Sequence, residues 1–309
     1  METTGILLAM GSSCLWAAFD ILRKKIGARV SAQAAIVGMM GLQLPLVLPL
    51  LALGTLWPAG KDYSILLFGG IPNIDALYWA FWAGSVSLNL LANYLFMRSV
   101  QLSPLSLSIP YLSFTPVFTA LVALPLFGEA PSAWGWAGIL TVCLGAFFLN
   151  PGSRRDGMLA PLRALKTERG SLYMVCVALL WSLTPMFDKQ ATAHSSPLWH
   201  TAVMNSSLAL CFGLWRIMRD RGAAGLVSEL RQAAWLFPMA AGCSLGALTS
   251  QLSAYAFMDI AYVETFKRGI GLIGAMISGY LLFGERGVKQ RLVGAAVMLV
   301  GVGLILLKG

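Results

Sequence analysis

The sequence predicts an all-α integral membrane protein with ten transmembrane helices, arranged as two inverted five-helix repeats. Three observations carry this reading. Hydrophobic residues make up 58% of the 309 and charged residues only 11%, with a mean hydropathy of +0.74. A soluble domain carries roughly 25% charged residues, so this chain has too little polar surface to clothe a globule in water. Apolar runs of about 20 residues, the length a spanning helix needs, fill the chain from end to end. Finally, Leu-Phe-Gly-Glu is spelled twice, at 126–129 and 282–285, an offset of 156 residues.

Taken in order, the spans fall at about 4–22, 32–56, 75–97, 104–126, 133–150, 171–189, 197–218, 233–256, 261–283 and 288–307. The first is expected to remain as a helix and not be cleaved as a signal, because the basic cluster "RKK" follows its apolar stretch. The third carries "SVSLNLLANYLFMRS", with amides on one face. The fourth is interrupted by Pro110 and Pro116, which free backbone carbonyls for Ser108, Ser113 and Thr115 to satisfy. The fifth and tenth each follow a Gly-Glu pair (Gly128 and Glu129; Gly284 and Glu285). The sixth opens the second half, and the ninth holds the charged stretch "VETFKRG" at 263–269. Segments 57–74, 151–170 and 219–232 are read as surface loops. The domains are thus residues 1–150, a basic connecting loop at 151–170, and 171–309. No length remains for a soluble catalytic domain.

With an even number of spans, both termini share a side. Loops after the odd-numbered spans hold 17 of the 22 Lys and Arg residues, and the opposite side holds Lys61, Lys189 and Lys308. The positive-inside rule places the richer side in the cytoplasm and both termini outside a bacterial inner membrane. The net charge of +9 is explained by these flanks, which meet anionic lipid headgroups. No basic, aromatic-interleaved face points to nucleic acid. The five cysteines lie singly in apolar runs, as buried small residues and not as disulfides or metal ligands.

The repeat extends beyond Leu-Phe-Gly-Glu. At the same offset Gly138 falls on Gly294 and Gly145 on Gly301. A seven-residue spacing puts both glycines of each pair on one helix face, where they permit close helix approach in lipid. "LWAAFDILRKK" at 15–25 resembles "LWSLTPMFDKQ" at 180–190, each with a Lys eight residues after its Trp. Five spans per half is odd, so the second copy enters the membrane from the opposite side. That is the inverted repeat of secondary transporters, with substrate expected near the midplane between the halves.

These motifs resemble the EamA-type branch of the drug/metabolite transporter superfamily. The resemblance rests on "LSPLSLSIPYLSFTPVFTALVALPLFGEAPSAWGWAGILTVCLGAFFLN" at 102–150 and "AYVETFKRGIGLIGAMISGYLLFGERGVKQRLVGAAVMLVGVGLILL" at 261–307. The first has the family's Ser-rich entry, Thr-Pro and Gly-Glu. The second keeps Gly-Glu-Arg and has Gly271-Leu272 where Thr-Pro would align. The resemblance implies ten helices in two EamA repeats and a transport function, without fixing a substrate. It also implies cytoplasmic termini, against which the charge count is followed here.

Charges inside a bilayer cost roughly 2.5–3.5 kcal/mol at the centre on insertion scales, so intramembrane polar residues are the candidate site. Lys267 or Arg268 could hold a substrate carboxylate or phosphate, tuned by Glu264 pairing with Arg268 at i, i+4; a snorkelling pair at the outer interface is the alternative. Asn89 and Asn93 suit a zwitterion or sugar, or equally an interhelical hydrogen bond. Trp16 and Trp181 could stack on a cationic ligand or simply pack. Tyr111, Gln251 and Tyr255 add polar lining. Asp20 is a coupling candidate, although a salt bridge to Lys24 also explains it. Asp188 and Lys189 are gate candidates or an interfacial charge pair. His194 and His200 read as surface residues, and Gly128, Glu129, Gly284 and Glu285 as hairpin markers.

The function expected is secondary transport of a small metabolite or drug-like solute, such as an amino acid or amine, by alternating access and in the export direction. Proton and sodium coupling stay open, as do monomer and homodimer. No Walker motif is present, and no cofactor or metal is expected. A flippase for a lipid-linked substrate is the alternative. A membrane-embedded enzyme would need a clustered constellation such as His-Glu-x-x-His or paired aspartates, which the sequence lacks.

Overall fold

The computed structural model describes residues 3–56, 72–102, 109–149, 169–220, 222–283 and 288–308. Among the described residues every regular element is helical: α1 Thr3–Gly27, α2 Ala32–Gly41, α3 Leu44–Leu56, α4 Ala76–Leu102, a 3-10 turn at Ile109–Phe114, α5 Thr115–Phe127, α6 Ala133–Leu149, α7 Arg169–Ala193, α8 Pro197–Asp220, α9 Ala224–Gln232, α10 Leu236–Ala254, α11 Ile260–Phe283 and α12 Val288–Lys308. Helix occupies each of the ten expected segments. The second is divided at Leu42–Gln43, because Pro45 is tolerated in the first turn of α3 but cannot continue α2. Among the described residues, three stretches are long and apolar enough by length and composition to cross a membrane: Thr3–Gly27, Ala32–Leu53 and Arg169–Ala193. A fourth joins them if α9 and α10, bent by 86° to one another, count as one.

Side chains are distributed inside-out relative to a soluble protein. Leu48, Leu121, Leu144, Leu210, Leu299 and Met218 stand exposed, whereas Ser12, Gln43, Asn205, Thr265 and Glu264 are buried. That suits a hydrocarbon solvent, in which polar groups must find partners within the protein. Cys14 and Cys211 are exposed, not buried as expected, and Cys143 alone among the five is fully buried; in lipid a thiol gains nothing by hiding.

The chain forms two compact units. The first comprises Leu7–Val86 and Phe187–Ala256; the second comprises Met1–Ile6, Ser87–Met186 and Phe257–Gly309. Each therefore draws on both halves of the sequence. The first unit is centred on Phe19, Ile26, Met39, Leu236 and Phe237. Segment 219–232, expected as a loop, contains amphipathic α9. Its Glu229 accepts from the Ser31 backbone N–H at 2.7 Å and from Arg216 at 2.7 Å. These bonds, with Ser31 first, hold its carboxyl below the ordinary value of 4.5. Arg216 also pairs with Asp220.

In the second unit the most extensive helix contact joins α6 to α12, the final helices of the two repeats. A Cβ built on Gly138 would lie 2.7 Å from the Gly301 carbonyl oxygen, and one on Gly145 would lie 2.7 Å from the Met298 nitrogen. The glycines that the repeat places on one face are thus where the two backbones touch. At the preceding corner Gly128 adopts a left-handed conformation, φ 69°, and its N–H closes on the Leu124 carbonyl. The Glu129 Oε2 accepts from the Ile260 N–H at the start of α11, 3.0 Å away. At the start of α6, Ser132 accepts from Gly135 at 3.0 Å. Gly284 and Glu285 lie outside the described residues. Pro116 removes the donor that would meet the Leu112 carbonyl, and the Thr115 hydroxyl donates to that carbonyl instead, at 2.7 Å.

Candidate functional site

In the first unit two buried polar groupings stand out. One runs from α1 to α10. Trp16 Nε1 donates to Gln251 Oε1 at 2.7 Å, and Gln251 Nε2 donates to the Tyr255 hydroxyl at 2.6 Å. Gln251 and Tyr255 are buried, so three of the expected lining residues do meet. A turn away, Ser12 donates to the Ala247 carbonyl at 2.7 Å. Gln43 donates to Ser244, and its Oε1 accepts from Asn205 at 2.8 Å. With Gln43 at the α2–α3 break, these bonds tie α1, α2, α8 and α10 together.

The second grouping corrects the sequence reading. Asp188 is buried, with only 4% of it exposed. Its Oδ1 accepts from the Ser85 hydroxyl at 2.5 Å and lies 3.0 Å from His200 Nε2. His200 is fully buried, not a surface residue. His194 is partly exposed and pairs through Nδ1 with Asp75 Oδ2 at 2.7 Å. Local capping builds this arrangement. Asp75 accepts from the Tyr78 N–H and starts α4; Ser196 accepts from the Trp199 N–H and starts α8, which puts His200 in its first turn. Only residues 194–196 separate α7 from α8, and Asp188 and His200 meet across that short link. That short link, with a Ser-Pro start, was the available signal for His200.

The second unit holds the remaining candidates. Glu264, 1% exposed, pairs with Lys267 at 3.4 Å, three residues on. Arg268 was the expected partner at i, i+4; the pair the structure gives is with Lys267 at i, i+3. Asn93 turns back on its own helix, donating to the Asn89 carbonyl at 2.8 Å. Tyr111 belongs to a buried cluster with Leu112, Met174, Val177 and Ala178, against which Trp181 packs; Trp181 lies 5.7 Å from the Phe96 ring. The repeat-related Trp16 and Trp181 therefore fall in different units. In the first unit, Asp20 pairs with Arg23 at 2.9 Å, both side chains being near half exposed; the side chain of Lys24, the expected partner, lies outside the described residues. Among the described residues no group of His, Cys, Asp and Glu could hold a metal ion.

Comparison with known proteins places this architecture. The model of the EamA-like transporter family matches residues 3–150 and 168–307, nearly the whole chain and in two copies. No curated protein matches the sequence. A crystal structure is similar at a TM-score of 0.66 and 14% identity, covering 98% of this chain and 96% of that one; at that identity the likeness is one of fold. A doubled family match, an all-helical fold with its polar groups turned inward, and apolar outer faces converge on one assignment. The chain is a multi-pass membrane protein of the EamA-like transporter family.

Proposed function

We propose that the chain is a secondary transporter that exports a small solute, an amino acid, an amine or a compound of similar size, by alternating access between its inverted repeats. The observation that carries this is the family match over both halves of the chain, because a duplicated unit of odd span number is the construction that alternating access uses. Ten spans, in an inner membrane with both termini outside, accord with the 17 basic residues on one side.

The solute contacts we assign are Trp16, Gln251 and Tyr255 in the first unit, and Asn89, Asn93, Tyr111, Trp181, Glu264, Lys267 and Arg268 in the second. An aromatic face beside an amide recognises an apolar or cationic body. The Lys267–Glu264 pair offers either sign of charge to a zwitterion. Purified protein in proteoliposomes, tested for uptake and counterflow of radiolabelled L-leucine, putrescine and adenosine, is the experiment. Flux of at least one solute above empty vesicles is expected, reduced in Gln251→Ala; no flux across a broad panel of amino acids, amines and nucleosides would sink the proposal.

A further inference from the structure

The Asp188–His200 grouping is more than a capped helix end. Asp188 can only accept when ionised, so its contact with His200 Nε2 fixes the proton of the neutral imidazole on that nitrogen. The Nδ1 lone pair is then the basic site, and Nδ1 is buried with no hydrogen-bond partner. On α4, Trp82 Nε1 is likewise buried and without a hydrogen-bond partner, while the Tyr78 hydroxyl has the Trp199 side chain beside it. Tyr78, Trp82 and Ser85 share one face of α4 at i, i+4 and i+7. The Tyr78 ring meets His200 edge-on at 5.9 Å, and Trp199 precedes His200 on α8. Left unpartnered, such atoms cost free energy that a fold avoids. An imidazole nitrogen left open in this way beside a buried carboxylate marks a place where a proton can come and go.

Charge identifies the visitor. An ionised Asp188 beside a neutral His200 leaves one buried negative charge, which is costly away from water. One proton removes it. The incoming proton adds to the Nδ1 lone pair, giving an imidazolium that faces the carboxylate through the existing Nε2–H bond; release reverses the same step. The other titratable or charged groups nearby are few. From α4 come Tyr78 and, at its start, Asp75, which His194 engages. On α7, Lys189 adjoins Asp188. On α8, Met204 gives a thioether 3.2 Å from the Ser85 hydroxyl. α2 and α3 carry no titratable residue, and α10 carries only Cys243. The Arg216–Glu229 pair is about 24 Å away along α8 at 1.5 Å per residue.

We propose that Asp188 and His200 form a buried proton-binding pair through which solute movement is coupled to a proton gradient. This rests on the transport reading above, and two independent measurements separate their failures. The chain has two histidines, so His194→Gln leaves His200 as the sole imidazole. In detergent-solubilised, 15N-histidine-labelled H194Q protein, acidification from about pH 8 to about pH 5 should convert His200 to imidazolium. In H194Q/D188N, with the carboxylate gone, the imidazolium signal should be absent. His200 protonating alike in both proteins, or in neither, overturns the proposal whatever the transport assay gives. In proteoliposomes, flux of L-leucine, putrescine or adenosine is compared with and without a pH gradient. The wild-type ratio should differ from one and collapse to one in D188N and in H200Q. Measurable wild-type flux that ignores the gradient overturns the coupling and leaves transport standing. Absence of any flux, with the imidazolium pattern intact, overturns transport and leaves the proton site. Should D188N fail to fold, H200Q and Asp188→Glu carry the flux comparison.

Discussion

Adding a single methyl group at Gly301 should separate α6 from α12. A Cβ there would fall 2.8 Å from the Gly138 carbonyl oxygen and 2.8 Å from the Val142 backbone nitrogen. Ordinary contact begins near 3.4 Å, so the helices must part by about 0.6 Å, and gaps of that size forfeit a quarter to a half of each affected dispersion well. Both obstacles are backbone, which cannot rotate away. The expected cost is about 1–3 kcal/mol, the range for overpacking a well-packed core, less the roughly 1 kcal/mol that Ala gains over Gly in a helix interior. Gly303 is the internal control: on the same helix, a Cβ there meets nothing within 4 Å. Thermal melting in detergent, followed by intrinsic fluorescence or aggregation, should show Gly301→Ala destabilised by several degrees and Gly303→Ala unchanged or raised. The same result is expected at Gly145, whose Cβ would meet the Met298 nitrogen and the Gly294 oxygen. If Gly301→Ala melts with or above Gly303→Ala, the glycine face is not what sets helix separation, and the packing account is wrong.

Thr115→Val should destabilise by about 1 kcal/mol, because the Leu112 carbonyl loses the hydroxyl that replaces Pro116's missing donor, while Thr115→Ser keeps the bond and most of the stability. Trp16→Phe should cost about 1–2 kcal/mol, by leaving Gln251 Oε1 without its donor; a double cycle with Gln251→Leu should recover part of this. Glu229→Gln should lower stability at neutral pH. The Glu229 carboxyl is held below its ordinary value of 4.5, so its contribution is complete above that value and disappears as pH falls through the lower, folded-state value. Wild-type and E229Q melting curves should therefore differ at pH 7 and converge only in acid.

The helices were legible because apolar runs and prolines are local signals. Pro116 and the start at 196–197 mark a break and a beginning that depend on a few neighbouring residues, whereas the break before Pro45 was not legible, because the apolar run continues through it. The glycine face was legible because it is written twice, so Gly138 identified Gly294, and Gly145 identified Gly301, before any geometry was known. Partner choice was not legible. Glu129 lies four residues before α6, yet its carboxylate accepts from Ile260, 131 residues away. Glu264 meets Lys267 three residues on, a choice that spacing alone does not make. His200 was misread because a histidine beside a turn is usually wet; here it is buried and meets Asp188 across a three-residue link. Capping residues announce where a helix starts, but not what its first turn will face.

The interleaved make-up of the two units bears on how the chain is made. At the ribosome, residues 7–86 emerge early, yet their unit is completed only by 187–256. The second unit is completed later still, when the residues from 257 onward supply α11 and α12. Residues 150–287 are made between α6 and α12, and until then the glycine face of α6 lacks the helix it packs against. A truncation just before residue 288 would strand that face. Insertion machinery that held α6 until α12 arrived would meet that need, so the pairing of two helices far apart in the sequence sets a late step in assembly.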